Sequence, residues 1–191
     1  MKNIVYFDLE TQKSFDEVGG RSAEHFRQLR LSVGVTYSTR DEQYRIFHEG
    51  NAHEMIQQLM RADLVVGHNI LSFDYKVLSA YTAFDLDQIP TLDTLVEIEK
   101  ILKHRLSLDA IAKVTLGNSK IADGMDAIKW WRAGGDENIL KIAEYCCYDV
   151  KITKLVHEYG CRHGELYYND RFGQRRTVKI SWQNAGALVS A

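Results

Sequence analysis

The chain has 191 residues, 24 Lys/Arg against 26 Asp/Glu, a net charge of −2, and 45% hydrophobic and 26% charged content. That composition suits a single α/β domain with a substantial core and excludes a disordered chain. Its apolar runs fall short of the roughly 18 residues of a membrane span. The three cysteines are odd in number, and Cys146 and Cys147 are adjacent. Neither a disulfide framework nor a zinc spacing follows, and a cytoplasmic, reducing setting with no membrane association is expected. Met1-Lys2-Asn3 leads straight into the first apolar run, so no signal peptide is expected.

In chain order, β-branched and aromatic content predicts a strand at 3–9, built on Ile4-Val5-Tyr6-Phe7. Residues 11–28 read as a polar, mobile connector containing Gly19-Gly20. Strands follow at 29–38 and 42–48, joined by a short hairpin at Thr39-Arg40-Asp41. A helix is expected at 52–61, a strand at 63–67, a helix at 74–84 and a short strand near 90–93. Helices at 94–102, 107–115, 125–133 and 136–159 complete the main body, the last N-capped by Asp136. Of Trp130 and Trp131, one is expected in the core and the other partly exposed. Leu166-Tyr167-Tyr168 and Arg175 to Trp182 flank Asn169-Asp170-Arg171-Phe172-Gly173, a hairpin signature. Residues 183–191 are expected to fray. The fold class is α/β: a mixed sheet of about five strands flanked by helices, with a C-terminal hairpin. The division expected is 1–160 for the main domain and 161–191 for the extension.

Three acidic motifs stand out: Phe7-Asp8-Leu9-Glu10-Thr11, then Gly67 to Asp74 containing Asn69 and Phe73, then Tyr145-Cys146-Cys147-Tyr148-Asp149. The first is not informative by composition, since Asp85/Asp87 and Glu97/Glu99 share its spacing. Its context differs: residues two apart on a strand face the same way, so Asp8 and Glu10 leave the first strand together. A polar strand exit explains the pair equally well. Asp74 opens a helical stretch, where the helix dipole alone would favour an acid. Tyr145 and Asp149 are one turn apart on the longest helix, and Asp149 is set among apolar and aromatic neighbours where an unpaired acid is costly. Converging carboxylates suit hard divalent cations such as Mg²⁺. His25 and His68 are read as surface or hydrogen-bonding residues, the cysteines as packing residues, and Asp93 as a helix cap.

In order, spacing and context these motifs resemble the DEDD superfamily of 3′–5′ exonucleases, which has a ribonuclease H-like fold. The tyrosine variant is indicated because position 145 is Tyr and position 144 is Glu, where the histidine variant would want His. The resemblance covers about residues 1–160. The Asn69-x-x-x-Phe73-Asp74 motif is similar to that of family B polymerase proofreading domains and of related stand-alone or helicase-linked domains. The resemblance implies catalytic roles for Asp8, Glu10, Asp74, Tyr145 and Asp149, with the four carboxylates binding two Mg²⁺ or Mn²⁺ ions. It implies substrate contacts from Leu9, Thr11, Asn69 and Phe73, a single-stranded or frayed 3′ end of DNA or RNA as partner, and room for a helicase or polymerase partner. Five Lys/Arg against two acids between Gly160 and Trp182 favour a phosphate-facing surface there; a hairpin that simply covers the core is the alternative. A binding module that keeps the fold as a scaffold and a metal-dependent endonuclease remain the rival readings.

Overall fold

A computed structural model describes residues 2–117 and 124–182. Five strands form one sheet: β1 (Ile4–Thr11), β2 (Leu31–Ser38), β3 (Gln43–His48), β4 (Leu64–Gly67) and β5 (Thr91–Asp93). Their spatial order is β3-β2-β1-β4-β5. β1–β2 and β2–β3 pair antiparallel, whereas β1–β4 and β4–β5 pair parallel. The sheet is therefore mixed, with β1 at its centre. This is the ribonuclease H-like arrangement, and helices flank it.

Side-chain alternation in β1 divides the core in two. Ile4 and Tyr6 enter one apolar cluster with Val33, Val35, Val66 and the long helix. Val5, Phe7 and Leu9 enter the other, with Met55, Leu59 and Leu78. Period-two alternation across a strand buried on both faces produces this split.

The helices are α1 (Phe15–Val18), α2 (Ala23–Leu29), α3 (Ala52–Met60), α4 (Asp74–Leu78), α5 (Thr94–Leu102), α6 (Leu108–Thr115), α7 (Gly124–Ala133) and α8 (Asp136–His163). The connector expected at 11–28 instead carries α1 and α2. The signal was local: Ser14 and Glu17 form a capping box, with the Ser14 amide donating to Glu17 Oε2 at 2.6 Å. β2 begins two residues later than expected because Leu29 closes α2 and Arg30 takes a left-handed φ of 58°.

Two other boundaries differ. α4 stops at Leu78, not 84, because the Ser79 hydroxyl donates to the Lys76 carbonyl at 2.7 Å, drawing off a backbone acceptor. Beyond it, Tyr81 is held away from any helix by its hydroxyl, which bonds the Leu31 amide and Glu49. α8 is N-capped by Gly135, with Asp136 its first helical residue, and runs four residues past 159 to a left-handed Gly164. Trp130 and Trp131 are both half-buried against the core, so the partly exposed one is as expected and neither is fully in the core.

The hairpin forms as expected from β6 (Glu165–Asn169) and β7 (Arg175–Lys179). Leu166, Tyr168, Val178, Ile180 and Trp182 join the cluster beneath α8. Gly160 permits this approach, since a Cβ there would lie 2.4 Å from Ile180 Cδ1. The expected fraying at 183–191 lies outside the described residues. No described helix is long and apolar enough to cross a membrane.

Candidate metal centre

Asp8 and Glu10 continue the Ile4/Tyr6 series of β1, so their side chains share the face covered by α8. β1 extends to Thr11, and its pairing with β2 shifts register between Glu10 and Thr11. α8 crosses that face with Tyr145, Cys146 and Asp149. The Cys146 thiol lies 3.3 Å from the Asp8 carbonyl oxygen and 3.4 Å from Asp8 Oδ2. Carboxylate oxygens of Asp8, Glu10 and Asp149 all lie within 4.8 Å of one another.

Asp74 arrives from the other side, after the loop that leaves β4. That loop turns tightly: a Cβ on Gly67 would lie 2.3 Å from Ile70 Cγ2, and Asn69 adopts φ 74°. Asp93 fastens it. Its carboxylate caps α5 through the Leu95 and Val96 amides and also accepts from the Asn69 and Leu71 amides, at 2.7 and 3.0 Å. Capping was the role expected for Asp93; binding the loop is an addition. Asp74 is buried, 3% exposed, and its Oδ1 accepts the Leu9 amide at 3.1 Å. It stands apart from the tight group of three but lines the same cleft.

Negative charge is concentrated in this cleft. Asp8 is held well above the usual carboxylate range by burial, then by the charges of Asp74, Asp149 and Glu10. Burial likewise pushes Asp74 up to about 8. A divalent cation would relieve both effects, so this donor set fits one. The Tyr145 phenol is driven far above its ordinary value, by burial and then by Asp149, to which its hydroxyl is also hydrogen-bonded. It therefore stays protonated and can donate.

All nine residues singled out from sequence line one cleft: Asp8, Leu9, Glu10, Thr11, Asn69, Phe73, Asp74, Tyr145 and Asp149. Leu9 is nonetheless buried in the core, and the Thr11 hydroxyl donates to the Lys13 carbonyl at 2.9 Å. Asn69 Oδ1 accepts from Arg105, and Phe73 packs edge-on against Phe15 and Phe26. Sequence reasoning passed over Lys13, Phe15, Met125 and Ile128, which also line the cleft. Phe15 had a usable signal in the Ser14–Glu17 capping box; Met125 and Ile128 had none, because only tertiary packing brings α7 here. His68 is half-buried, with Nδ1 2.9 Å from Thr94 Oγ1, in keeping with a hydrogen-bonding role. Of the cysteines, Cys146 is fully buried and the other two half-buried, and none of the three forms a disulfide.

A family model of the RNase_H superfamily matches residues 5–160. The chain belongs to the RNase_H superfamily. The match spans β1 through most of α8 and includes every residue that lines the acidic cleft. No curated protein matches significantly. Membership in the RNase_H superfamily gives this chain a nuclease fold, for which a nucleic acid is the expected substrate. Its acidic cluster could hold metal ions.

Proposed function

We propose that the protein is a metal-dependent 3′–5′ exonuclease of the tyrosine variant, releasing nucleoside 5′-monophosphates from single-stranded or frayed 3′ ends of DNA or RNA. The observation that carries this reading is the convergence of Asp8, Glu10 and Asp149 within 4.8 Å, with the Tyr145 hydroxyl on Asp149. Asp8, Glu10 and Asp149 would hold one Mg²⁺ or Mn²⁺ ion, and Asp8 with Asp74 a second. When bound, such ions polarise the phosphate and make water a stronger nucleophile.

The remaining work belongs to the side chains. Tyr145, a donor beside Asp149, orients the attacking water and does not serve as its base. Asp74, tied to the Leu9 backbone, couples the position of one carboxylate to that of the residue flanking the terminal base. Leu9 and Phe73 pack beside that base, while Thr11 and Asn69 border the strand. The scissile phosphate has to reach carboxylates lining the cleft, which a fully paired end would not do. Residues 1–160 carry this activity, and 161–191 form an extension that could serve a helicase or polymerase partner.

The test is digestion of matched 5′-labelled DNA and RNA oligonucleotides with Mg²⁺ or Mn²⁺, beside circular and 3′-blocked controls. Stepwise shortening from the 3′ end is expected. Cleavage of circles would make the enzyme an endonuclease. Metal-independent binding with no cleavage of any substrate would leave a scaffold.

A further inference from the structure

Cations are scarce where a polyanion would lie. Lys13 is the one Lys or Arg among the described residues lining the cleft, against four carboxylates. Arg105 stands at the edge marked by Asn69. Its Nη2 donates to Asn69 Oδ1 at 2.6 Å, and its Nη1 lies 3.8 Å from Glu99 Oε2. The side chain remains 56% exposed. A guanidinium presents five N–H donors in a planar fork, so these two contacts orient the group without exhausting it.

The backbone that carries Arg105 is fixed as well. α5 ends at Lys103 in a left-handed conformation, φ 60°. Half-buried His68 bonds the Leu106 backbone as well as Thr94, which pins the segment to the end of β4. Holding an arginine in one geometry costs rotamer entropy. An exposed arginine ordered in advance at the rim of an anionic cleft has a physical use: it recovers that cost when an anion arrives.

We propose that Arg105 is a phosphate-binding residue, gripping a backbone phosphodiester next to the scissile one, with Asn69 and Glu99 as positioning residues. The fork matches two phosphate oxygens, which a lysine could not do. This inference rests on the nuclease reading above. It also gives Asn69 a role as the orienter of a cation, in place of a direct contact with the strand.

The test is equilibrium binding of a fluorescent single-stranded oligonucleotide, in non-hydrolysing Ca²⁺ buffer, across a salt series. Arg105→Gln should weaken binding about tenfold and flatten the slope of log K against log salt by about 0.7, the value for one phosphate contact on a single strand. Arg105→Lys should restore the slope but only part of the affinity. Asn69→Ala should weaken affinity with the slope kept. Wild-type affinity and slope in Arg105→Gln, with wild type binding and cutting, would overturn this assignment alone. A loss of affinity without a slope change would mean a structural role and would overturn it too. A wild type that neither binds nor cuts any oligonucleotide would overturn the nuclease reading and this one together.

Discussion

Cys146 Sγ sits 3.3 Å from the carbonyl oxygen of Asp8 and 3.4 Å from its Oδ2. The long helix is therefore seated on the backbone of the residue whose carboxylate it must meet. Burial, and then the Asp8 charge, raises the thiol well above its ordinary range, so it remains a neutral donor. The spacing between Asp149 and Asp8 is set by a small side chain. Cys146→Leu should overpack this contact, costing about 1–3 kcal/mol in urea unfolding. It should also blunt the rise in Tm expected of the wild type with Mg²⁺ or Mn²⁺. Cys146→Ala should cost about 1 kcal/mol and keep the metal response. A metal response in Cys146→Leu equal to wild type would show that the contact does not set the spacing.

Asp74 predicts a pH effect with a definite sign. Its folded pKa, about 8, stands above the ordinary 3.8, so the fold favours the protonated form. That contribution is complete below about pH 3.8 and is lost as pH rises toward 8. In metal-free buffer, Asp74→Asn should raise stability by roughly 1–3 kcal/mol at pH 8 and by less at pH 5. Asn can still accept the Leu9 amide. Thermal unfolding of both proteins in EDTA at the two pH values is the measurement, and a gain that grew toward acid would refute the sign. On the proposed mechanism the variant loses cleavage.

Removing one of the clustered carboxylates outright should separate stability from activity. Asp8→Ala or Asp149→Ala should abolish cleavage while the fold survives. Without metal, Tm should hold or rise, since mutual repulsion is relieved. At a hundred times its dissociation constant a bound ion would stabilise wild type by about 2.7 kcal/mol, and neither variant should show that increment. Near wild-type cleavage by either one would remove the metal-site assignment.

The Tyr145 hydroxyl meets Asp149, and the ring is buried. Tyr145→Phe keeps the ring, so unfolding free energy should fall by no more than about 1 kcal/mol. The single-turnover rate should fall about 10²–10⁴-fold if the hydroxyl positions the water. An unchanged rate would make Tyr145 a packing residue whose hydroxyl only satisfies Asp149.

His157 supplies an opposite pH dependence far from the cleft. Its ring contacts the Tyr6 hydroxyl at 2.9 Å and stacks on Trp182, and burial lowers its pKa from 6.5 to about 4. The unfolded chain takes up this proton near 6.5, whereas the folded chain waits until about 4. Stability is thus full above about pH 6.5 and declines as pH falls toward 4, by up to roughly 1.4 kcal/mol per unit. The advantage of wild type over His157→Gln, followed by urea unfolding, should shrink from pH 7 to pH 5. A constant difference would mean that His157 is not held neutral by its burial.

The basic strip of the hairpin is legible in sequence, but its electrostatics are not. Arg176 pairs with Asp170 and Lys179 with Glu165, leaving Arg175 over the Tyr167 ring and Arg171 over Phe172. Cross-strand register and the turn decide those pairings, and neither shows in a count of charges. Apolar alternation in β1 and the i, i+4 spacing of Tyr145 and Asp149 are properties of local chain geometry. They therefore declared themselves in the sequence, as did the strands, most of the helices and the hairpin. α1 and α2 were also written locally, in the Ser14–Glu17 and Ser22–His25 boxes, beneath a polar composition that suggests a loop. The meeting of Asp8, Glu10 and Asp149 within 4.8 Å depends on helix-to-sheet packing across about 140 residues of chain, through Cys146. So does the separate seat of Asp74 on the Leu9 amide, fixed by four amides on Asp93 and by the missing side chain of Gly67. The sequence sets which residues can share a face; only the packed structure decides which faces meet, because that is fixed by burial and hydrogen-bond satisfaction across distant elements.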